Sequence, residues 1–234
     1  MNKRLAIIGM GKMGQAIAEL APSRGWDVVA RLDEPDMKKR VERATLGDAD
    51  VAVEFTVPAA TPSNIRAVVA TGCPIVVGTT GWYDHLDEIR RDVNAQNGGL
   101  LTATNFSLGV NLFAEIAETA ARLLRRAPGF DAHLVETHHS AKKDAPSGTA
   151  RTLADKASSA WGRAIPITSV RTGSFPGTHE LLFDAPFETI RLEHVARDRR
   201  VFAEGALVAA AWLIGRRGIF SMHDVLSTPA GGDA

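Results

Sequence analysis

The sequence has little of several features that mark specialised classes of protein. Cys73 is its one cysteine, which excludes a disulfide within the chain and a cysteine-based metal motif and fits a reducing compartment. Aromatic residues make up 6% of the chain, and no apolar run approaches the roughly 20 residues of a membrane span. Basic and acidic side chains balance at 27 each, so no net field draws the chain to nucleic acid or to an anionic membrane. We therefore expect a cytoplasmic protein with neither of these as a partner.

What is present is the composition of an ordinary globular protein. The 234 residues are 45% hydrophobic and include 21 glycines and 11 prolines. This length can bury a sizeable core and suits one large domain or two small ones.

Short apolar runs alternate with helical patterns over the first hundred or so residues. Because parallel strands need crossover connections, the alternation predicts a doubly wound parallel sheet with helices on both faces. The predicted strands cover residues 5–8, 27–32, 51–55, 74–77 and 100–103, and the predicted helices cover 13–21, 61–70 and 83–94.

The pattern changes after residue 105, where a long amphipathic helix over 108–124 is followed by strands with few helices between them. These strands are predicted at 133–137, 167–171, 180–183 and 189–194, and the chain turns helical again from Gly205. The predicted fold class is α/β: a Rossmann-like domain with a doubly wound parallel sheet, of residues 1–106 and 205–234, and a smaller α+β domain of residues 107–204 with a mixed sheet.

A glycine-rich turn follows the first predicted strand and opens the first predicted helix. Gly9, Gly11 and Gly14 have the G-x-G-x-x-G spacing that permits a tight turn, close approach of the backbone to a pyrophosphate and close helix packing. The string alone also suits a turn without a ligand, but Asp33 follows 19 residues after Gly14, where a carboxylate can bind the adenosine ribose hydroxyls. We predict a dinucleotide site that includes Gly9, Met10, Gly11, Lys12, Met13, Gly14 and Asp33.

The charges at this site bear on the choice between NADH and NADPH. Asp33 and Glu34 place two carboxylates where a 2′-phosphate would lie, so we expect NADH to be used at least as well as NADPH. Lys12 can offset part of this repulsion, although it also suits a solvated lysine at a helix start.

Two further turns follow predicted strands, at the sheet edge where α/β proteins bind ligands. Small residues there can contact the nicotinamide half, or the threonine hydroxyls can simply cap helices. The residues assigned to the cofactor from these turns are Phe55, Thr56, Gly78, Thr79 and Thr80.

A loop over residues 136–150 combines histidines, lysines and a helix start. Ser147 is the expected helix N-cap, with Gly148 and Thr149 in the first turn. Free amides and the dipole of a helix N-terminus attract an anion, so the segment predicts a carboxylate site. His138 and Lys142 are suited to proton exchange and to stabilising negative charge.

Two other interpretations of this loop are a metal site and a polar turn with a capped helix. His138 and His139 point to opposite faces if the segment is extended, and the sequence places no third ligand beside them. We therefore expect no metal. The capped turn is the structural alternative that the residue chemistry leaves open.

The motifs together resemble the 4-hydroxy-tetrahydrodipicolinate reductase (dihydrodipicolinate reductase) family over nearly the whole chain. The strings that carry the resemblance are the glycine turn, Val53-Glu54-Phe55-Thr56, Gly78-Thr79-Thr80-Gly81, residues 105–111, the string from His138 to Ala150, Gly177-Thr178-His179-Glu180 and Phe202-Ala203-Glu204-Gly205-Ala206.

The resemblance implies an enzyme that reduces 4-hydroxy-tetrahydrodipicolinate to tetrahydrodipicolinate, with loss of water, in diaminopimelate and lysine biosynthesis. It implies proton transfer by His138 and Lys142, binding of the substrate carboxylates by His139, Gly148 and Thr149 next to Ser147, and a homotetramer. It also adds Ala103, Thr104, Asn105 and Phe106 to the cofactor contacts.

Two alternatives accompany this prediction. One is another two-domain nicotinamide oxidoreductase of amino or imino acids, such as an L-aspartate dehydrogenase, which would not account for the carboxylate-binding string. The other is a non-catalytic module that senses NAD(H), since a fold does not establish catalysis.

Overall fold

A computed structural model of the protein describes residues 2–227. The described part of the chain divides into two compact units: residues 2–107 together with 200–227, and Leu108–Arg199. The predicted domain boundaries lie at 106/107 and 204/205, whereas the structure assigns Ser107 and the segment from Arg200 to Glu204 to the first unit.

The described residues contain ten strands and eight α-helices. The strands are β1 (Lys3–Ile8), β2 (Trp26–Leu32), β3 (Val51–Glu54), β4 (Ile75–Val77), β5 (Gly99–Thr102), β6 (Asp131–His138), β7 (Ile167–Arg171), β8 (Thr178–Ala185), β9 (Glu188–Val195) and β10 (Gly218–Phe220). The helices are α1 (Lys12–Leu20), α2 (Glu34–Met37), α3 (Thr61–Val69), α4 (Leu86–Ala95), α5 (Leu108–Leu124), α6 (Gly148–Trp161), α7 (Arg200–Leu213) and α8 (Met222–Ser227).

The first unit is built on a parallel six-stranded sheet in the order β10-β5-β4-β3-β1-β2. Its inner strands β1, β3 and β4 consist of valine, isoleucine, leucine and alanine, apart from Lys3 and Arg4 at the exposed start of β1 and Glu54 at the end of β3, because both faces of the sheet are buried there. The strand order reverses at β1, between β2 and β3. The carboxyl ends of β1 and β3 therefore flank the switch point at which open α/β sheets bind ligands.

The core of this unit consists of the sheet and the apolar faces of its helices. Ile65, Val68 and Val69 from α3 pack with Ile89 and Val93 from α4 in one buried cluster with the strands. Helix α7 packs against α1 and against β3, β4 and β5. The predicted doubly wound parallel sheet is thereby confirmed.

The second unit contains a four-stranded mixed sheet in the order β7-β6-β8-β9, as the sequence predicts. Strand β6 pairs parallel with β7 and antiparallel with β8, and β8 and β9 form a hairpin. Helices α5 and α6 cover one face of this sheet, where Leu134, Leu181 and Phe183 meet Ala117 and Leu153 in a second buried cluster.

The element boundaries depart from the prediction in a few places. Helix α7 begins at Arg200 rather than at Gly205, because Val201 to Glu204 continue the helix without a breaker. The short elements α2, β10 and α8 carry too few residues to show a periodicity and were not predicted. None of the helices described between residues 2 and 227 combines the length and apolar character that crossing a bilayer requires.

Candidate functional site

The glycine turn between β1 and α1 is shaped by close backbone contacts. A Cβ at Gly14 would lie 2.0 Å from the carbonyl oxygen of Gly9, and a Cβ at Gly9 would lie 2.2 Å from that of Phe55. Gly9 also has a φ of +92°, which side chains rarely adopt. A Cβ at Gly11 would meet nothing within 4 Å. Gly9 and Gly14 are thus required by packing, whereas Gly11 leaves space for a ligand to approach the backbone.

Helix α1 starts directly after this turn and presents its first amides there. Gly11 is the N-cap and provides no side-chain cap for them. The backbone N–H of Met10 donates to the carboxylate of Asp33 at 2.9 Å, so the turn and the end of β2 hold each other in place. The end of β2 therefore brings an exposed carboxylate to the helix N-terminus, as a dinucleotide site requires.

A cavity of about 540 Å³ lies at the carboxyl ends of β1, β2 and β3. Its size and its combination of an open helix N-terminus with a carboxylate fit a large part of a dinucleotide. Its lining consists of Gly9, Gly11, Asp33, Glu34, Met37, Lys38, Phe55, Thr56, Val57, Ala59, Ala60, Ser63 and Asn64.

Opposite charges meet at the rim of this cavity. Glu34, the first residue of α2, and Lys38, which follows the helix, form an ion pair of 2.6 Å between exposed side chains. The Lys38 ammonium lowers the pKa of the Glu34 carboxyl through a hydrogen bond and its charge. Two carboxylates, Asp33 and Glu34, thus face any group bound at the end of β2, with one lysine partly neutralising them.

The remaining predicted cofactor residues lie outside the cavity lining. Thr79 is buried, and its hydroxyl accepts a hydrogen bond from the backbone N–H of Thr56 at 2.8 Å. A Cβ at Gly78 would overlap the ring of Phe55, which packs 5.7 Å from the ring of Phe106. Gly78, Thr79 and Phe106 therefore contact Phe55 and Thr56 and fix the position of these two lining residues. The predicted residues outside the lining are Met10, Lys12, Met13, Gly14, Gly78, Thr79, Thr80, Ala103, Thr104, Asn105 and Phe106.

A buried carboxyl group supports the wall formed by Thr56 and Asn64, and sequence reasoning assigned it no role. Glu54 is fully buried at the end of β3 and bonds to the hydroxyl of Thr56, to Thr61 Oγ1 and to Asn64 Nδ2. Burial raises the pKa of Glu54 although these hydrogen bonds lower it. The group therefore has an increased tendency to be a neutral acid.

In the second unit, strand β6 places alternate side chains on opposite faces of its sheet. Glu136 and His138 are buried on the face that α5 and α6 cover, while Thr137 and His139 are partly exposed. The prediction that the two histidines face opposite ways is confirmed, and the carboxylate two residues before His138 shares its side of the sheet.

Glu136 is the centre of a buried hydrogen-bond network. Its Oε1 accepts from Arg171 Nη2 at 2.6 Å and from the backbone N–H of Ser147 at 3.2 Å. Its Oε2 contacts Nδ1 of His138. Burial would raise the pKa of Glu136, but the hydrogen bonds from Arg171, Ser169 and His138 outweigh it and lower the pKa to about 2. Glu136 is ionised at neutral pH.

Two histidine rings meet beside this carboxylate. The rings of His138 and His179 pack edge to face with centroids 5.3 Å apart, and both are buried. Burial lowers the pKa of His138 despite the opposing effect of Glu136. Burial, together with a smaller effect of the charge of His138, lowers the pKa of His179 to about 4. Both rings are therefore neutral over most of the physiological range.

The loop after β6 carries the remaining predicted residues. Lys142 forms an ion pair with Asp144 at 2.7 Å, and its backbone N–H donates to the carbonyl of His139. The predicted N-cap is confirmed: Ser147 Oγ accepts from the N–H of Ala150 at 3.1 Å. Gly148 is exposed and open to solvent, so the start of α6 is accessible. Thr149 lies in the first turn of α6 and is partly buried.

The expectation that no third metal ligand stands near the histidines is wrong. Ligand atoms of Glu136, His138 and His179 all lie within 4.8 Å of one another. The antiparallel register of β6 and β8 pairs residue 136 with residue 179. The sequence of the β6 segment alone could not predict this pairing. Arg171 already neutralises this carboxylate, so a divalent cation would meet a competing cation at its one anionic ligand.

The sequence analysis missed the roles of Glu136, Arg171 and His179. The two-residue period of a strand could have indicated Glu136, because it must share a face with His138. Arg171 pairs with His138 across β6 and β7, and His179 pairs with Glu136 across β6 and β8. These two neighbours depend on strand register, for which the sequence carried no signal.

Comparisons with known proteins agree along the whole described chain. The family model "Dihydrodipicolinate reductase, N-terminus" matches residues 3–106, and "Dihydrodipicolinate reductase, C-terminus" matches residues 109–226. A 4-hydroxy-tetrahydrodipicolinate reductase of Christiangramia forsetii is 36% identical over 95% of this chain and 97% of its own. One of Rhodopseudomonas palustris is 38% identical over 96% of this chain and 97% of its own.

A solved structure has the same fold. The dipicolinate-bound dihydrodipicolinate reductase of Paenisporosarcina sp. TG-14 matches with a TM-score of 0.78 and 22% identity, over 94% of this chain and 98% of its own.

Proposed function

The chain belongs to the dihydrodipicolinate reductase family, and we propose that it catalyses the reaction for which its relatives are named, the reduction of 4-hydroxy-tetrahydrodipicolinate in diaminopimelate and lysine biosynthesis. It is an NAD(P)H-dependent oxidoreductase. The observation that carries the proposal is the match of both family models, in order, to residues 3–106 and 109–226.

The first unit binds the dinucleotide. The amides at the start of α1 would hold the pyrophosphate, since Gly11 leaves space for it to approach the backbone, and Asp33 would accept hydrogen bonds from the ribose hydroxyls. The nicotinamide supplies the hydride. Thr79 and Phe106 keep Thr56 and Phe55 in place on the cavity wall.

The second unit binds the substrate and handles protons. The reaction removes one water and then takes up one hydride and one proton, so the protein needs a group that can exchange a proton near pH 7. His138 and Lys142 are our candidates. His138 is a neutral ring held by a carboxylate, and the charge of Lys142 acts on this ring. The ammonium of Lys142 can deliver the proton, and its charge favours negative charge as it develops. The neutral ring of His138 can accept a proton and pass it on.

The substrate carboxylates would bind at the start of α6. Gly148 and Thr149 present backbone amides and a hydroxyl at a helix N-terminus, and His139 follows β6 on the side opposite His138. Ser147 fixes this terminus by capping it. We assign His139, Gly148 and Thr149 to direct carboxylate contacts and Ser147 to the geometry of the site.

Assembly and location are further parts of the proposal. One face of the four-stranded sheet is covered by α5 and α6, whereas side chains on its other face, including Val170 and Val195, are exposed. Such a face suits pairing between copies, and we propose a homotetramer formed through it.

We also propose a cytoplasmic location, since the free thiol of Cys73 suits a reducing compartment.

The test is NADH oxidation by the purified protein with substrate generated in the same cuvette from its aldehyde and keto-acid precursors. We expect oxidation that depends on freshly formed substrate and yields tetrahydrodipicolinate. Oxidation supported instead by oxaloacetate and ammonia would point to an aspartate dehydrogenase. NADH binding without oxidation of any of these would point to a sensing module.

A further inference from the structure

Both oxygens of the Glu136 carboxylate are occupied by groups of the protein. Oε1 accepts from Arg171 and from the N–H of Ser147, while Oε2 contacts His138 Nδ1. Glu136 has no exposed surface. Arg171 is itself fixed, because its guanidinium also donates to the carbonyls of Asp144 and Val170. The carboxylate therefore has one geometry, set from three elements of the fold.

The other nitrogen of His138 has a different environment. A Cβ at Gly177 would lie 3.0 Å from Nε2 of His138, so any larger residue at position 177 would crowd this side of the ring. Nδ1 is engaged by a carboxylate, which can only accept when ionised, so Nδ1 carries a hydrogen in the neutral ring. Nε2 is then the nitrogen with a free lone pair.

We propose that Glu136 and Arg171 are positioning residues for the reduction: Glu136 holds His138 with Nδ1 protonated so that Nε2 exchanges the proton, and Arg171 keeps Glu136 ionised. The inference deepens the proposed function and rests on it. Neither residue touches substrate or cofactor in this proposal; both act through His138.

The charges around His138 explain why Arg171 is needed to keep Glu136 ionised. The groups facing the ring are Glu136, Lys142, Arg171 and His179. Without Arg171, burial would favour the protonated form of Glu136, and a protonated carboxyl does not select the Nδ1–H form of its neighbour. Lys142 cannot replace Arg171, because it pairs with Asp144 in the loop.

The first experiment follows His138 in the full-length protein without substrate. Long-range ¹H–¹⁵N NMR reports its tautomer and pKa in wild type and in Glu136→Gln. We expect Nδ1–H in the neutral wild-type ring. In Glu136→Gln we expect a lower His138 pKa, because the anion that raises it is gone. An Nε2–H ring in wild type, or an unchanged titration in Glu136→Gln, would overturn the role of Glu136.

The second experiment follows Glu136 by ¹³C NMR of its carboxyl in Arg171→Met and Arg171→Lys. We expect the Glu136 pKa to rise in Arg171→Met and to return part of the way in Arg171→Lys. Arg191→Met is the matched control, since it breaks an ion pair with Glu180 in the same sheet. An unchanged Glu136 titration in Arg171→Met would overturn the role of Arg171. If Arg171→Met does not fold, Arg171→Lys, with a smaller rise, carries the same test.

Kinetics then connect the network to the reaction. Glu136→Gln and Arg171→Met should lose at least about 10-fold in kcat with a smaller change in KM, because His138 no longer presents the correct nitrogen for proton exchange in the transition state. NADH affinity should stay unchanged, which shows that the first unit is intact. Wild-type kcat in both variants would overturn the proposal. The NMR measurements do not need the reaction, so an inactive wild-type protein with the expected titrations would refute the proposed function and leave the histidine network in place.

Discussion

The two candidate sites of this protein are built by opposite means. The cofactor turn in the first unit depends on glycines, because a Cβ at Gly9 or at Gly14 would overlap a backbone carbonyl oxygen. The polar site in the second unit depends on buried charge, with Glu136 and Arg171 paired inside a sheet layer. A glycine turn is a local device, whereas a buried ion pair needs partners from several strands.

The difference determines how each site fails. A substitution in the turn acts through steric overlap and changes stability and cofactor affinity together. A substitution in the polar site acts through charge and changes protonation states, because every group there influences the pKa of the next. Five measurements test this difference between the two sites.

The largest effect is expected on turnover, from the groups that move protons. Lys142→Ala and His138→Ala should each lower kcat by about 10²–10⁴-fold, the range typical of general acid–base catalysis. His139→Ala should raise KM more than it lowers kcat, because a carboxylate contact acts equally in ground and transition states. Steady-state kinetics decide this after NADH binding has shown each variant to be folded. Near-normal turnover in Lys142→Ala would remove it from the mechanism.

The second effect is on acid stability and comes from His179. Its folded pKa of about 4 lies below its ordinary value of 6.5, so the unfolded chain binds a proton that the folded chain refuses. Stability should therefore fall as pH drops from about 7 toward 4, with His179 accounting for at most about 3 kcal/mol. Urea unfolding between pH 7.5 and 4.5 should give a shallower decline for His179→Gln. His133→Gln is the control on the same sheet, and equal declines in wild type and His179→Gln would contradict the expectation.

The third effect concerns the substrate carboxylates. Pyridine-2,6-dicarboxylate should compete with substrate, and Thr149→Val should weaken its binding by about 1.5–3 kcal/mol through loss of a hydroxyl donor to a charged acceptor. Calorimetry in the presence of NADH measures this. Thr152→Val, one turn further along α6 with its hydroxyl on the Gly148 carbonyl, is the control. Unchanged affinity in Thr149→Val would move the carboxylate site elsewhere.

The fourth effect separates packing from binding in the glycine turn. Gly14→Ala should destabilise the protein by about 1–3 kcal/mol because its methyl group overlaps the Gly9 carbonyl. Gly11→Ala should leave unfolding nearly unchanged while NADH affinity falls, since nothing in the protein occupies that space. Thermal unfolding without ligand and NADH titration give the two readouts. A Gly11→Ala variant with normal NADH affinity would show that the pyrophosphate does not approach this residue.

The smallest effect is the choice between cofactors. NADH should be used at least as well as NADPH, and Glu34→Gln should improve kcat/KM for NADPH relative to NADH by a few-fold to about 10-fold, because it removes a repelling carboxylate and frees Lys38. Asp87→Asn is the control, an exposed carboxylate on α4. A wild-type preference for NADPH above about tenfold would assign the phosphate to Lys38 or Lys12.

Local sequence patterns predicted much of the fold. Helix α5 and strand β7 have the bounds that periodicity and composition indicated, and the parallel and mixed sheets follow from where helices do and do not separate strands. Strand β10 escaped prediction because three residues show no period and its place at the sheet edge depends on pairing with β5. The start of α7 was missed by five residues because the apolar pattern is clearest only from Gly205.

The candidate sites divide in the same way. Sequence patterns predicted the glycine spacing, Asp33 and the capped start of α6, because each is a signal within a few residues or at a fixed distance along the chain. The sequence did not predict that Ser63 and Asn64 line the cavity, because their position depends on how α3 follows β3.

The alternation of strands and helices, the glycine turn after β1 and the shared face of Glu136 and His138 on β6 follow from the sequence, because covalent geometry imposes these periods. The meeting of Arg171 and His179 with Glu136 and His138 arises only when the chain has folded. That meeting requires the register of β6 with β7 and with β8, and register depends on packing across the whole sheet rather than on the identity of any one segment.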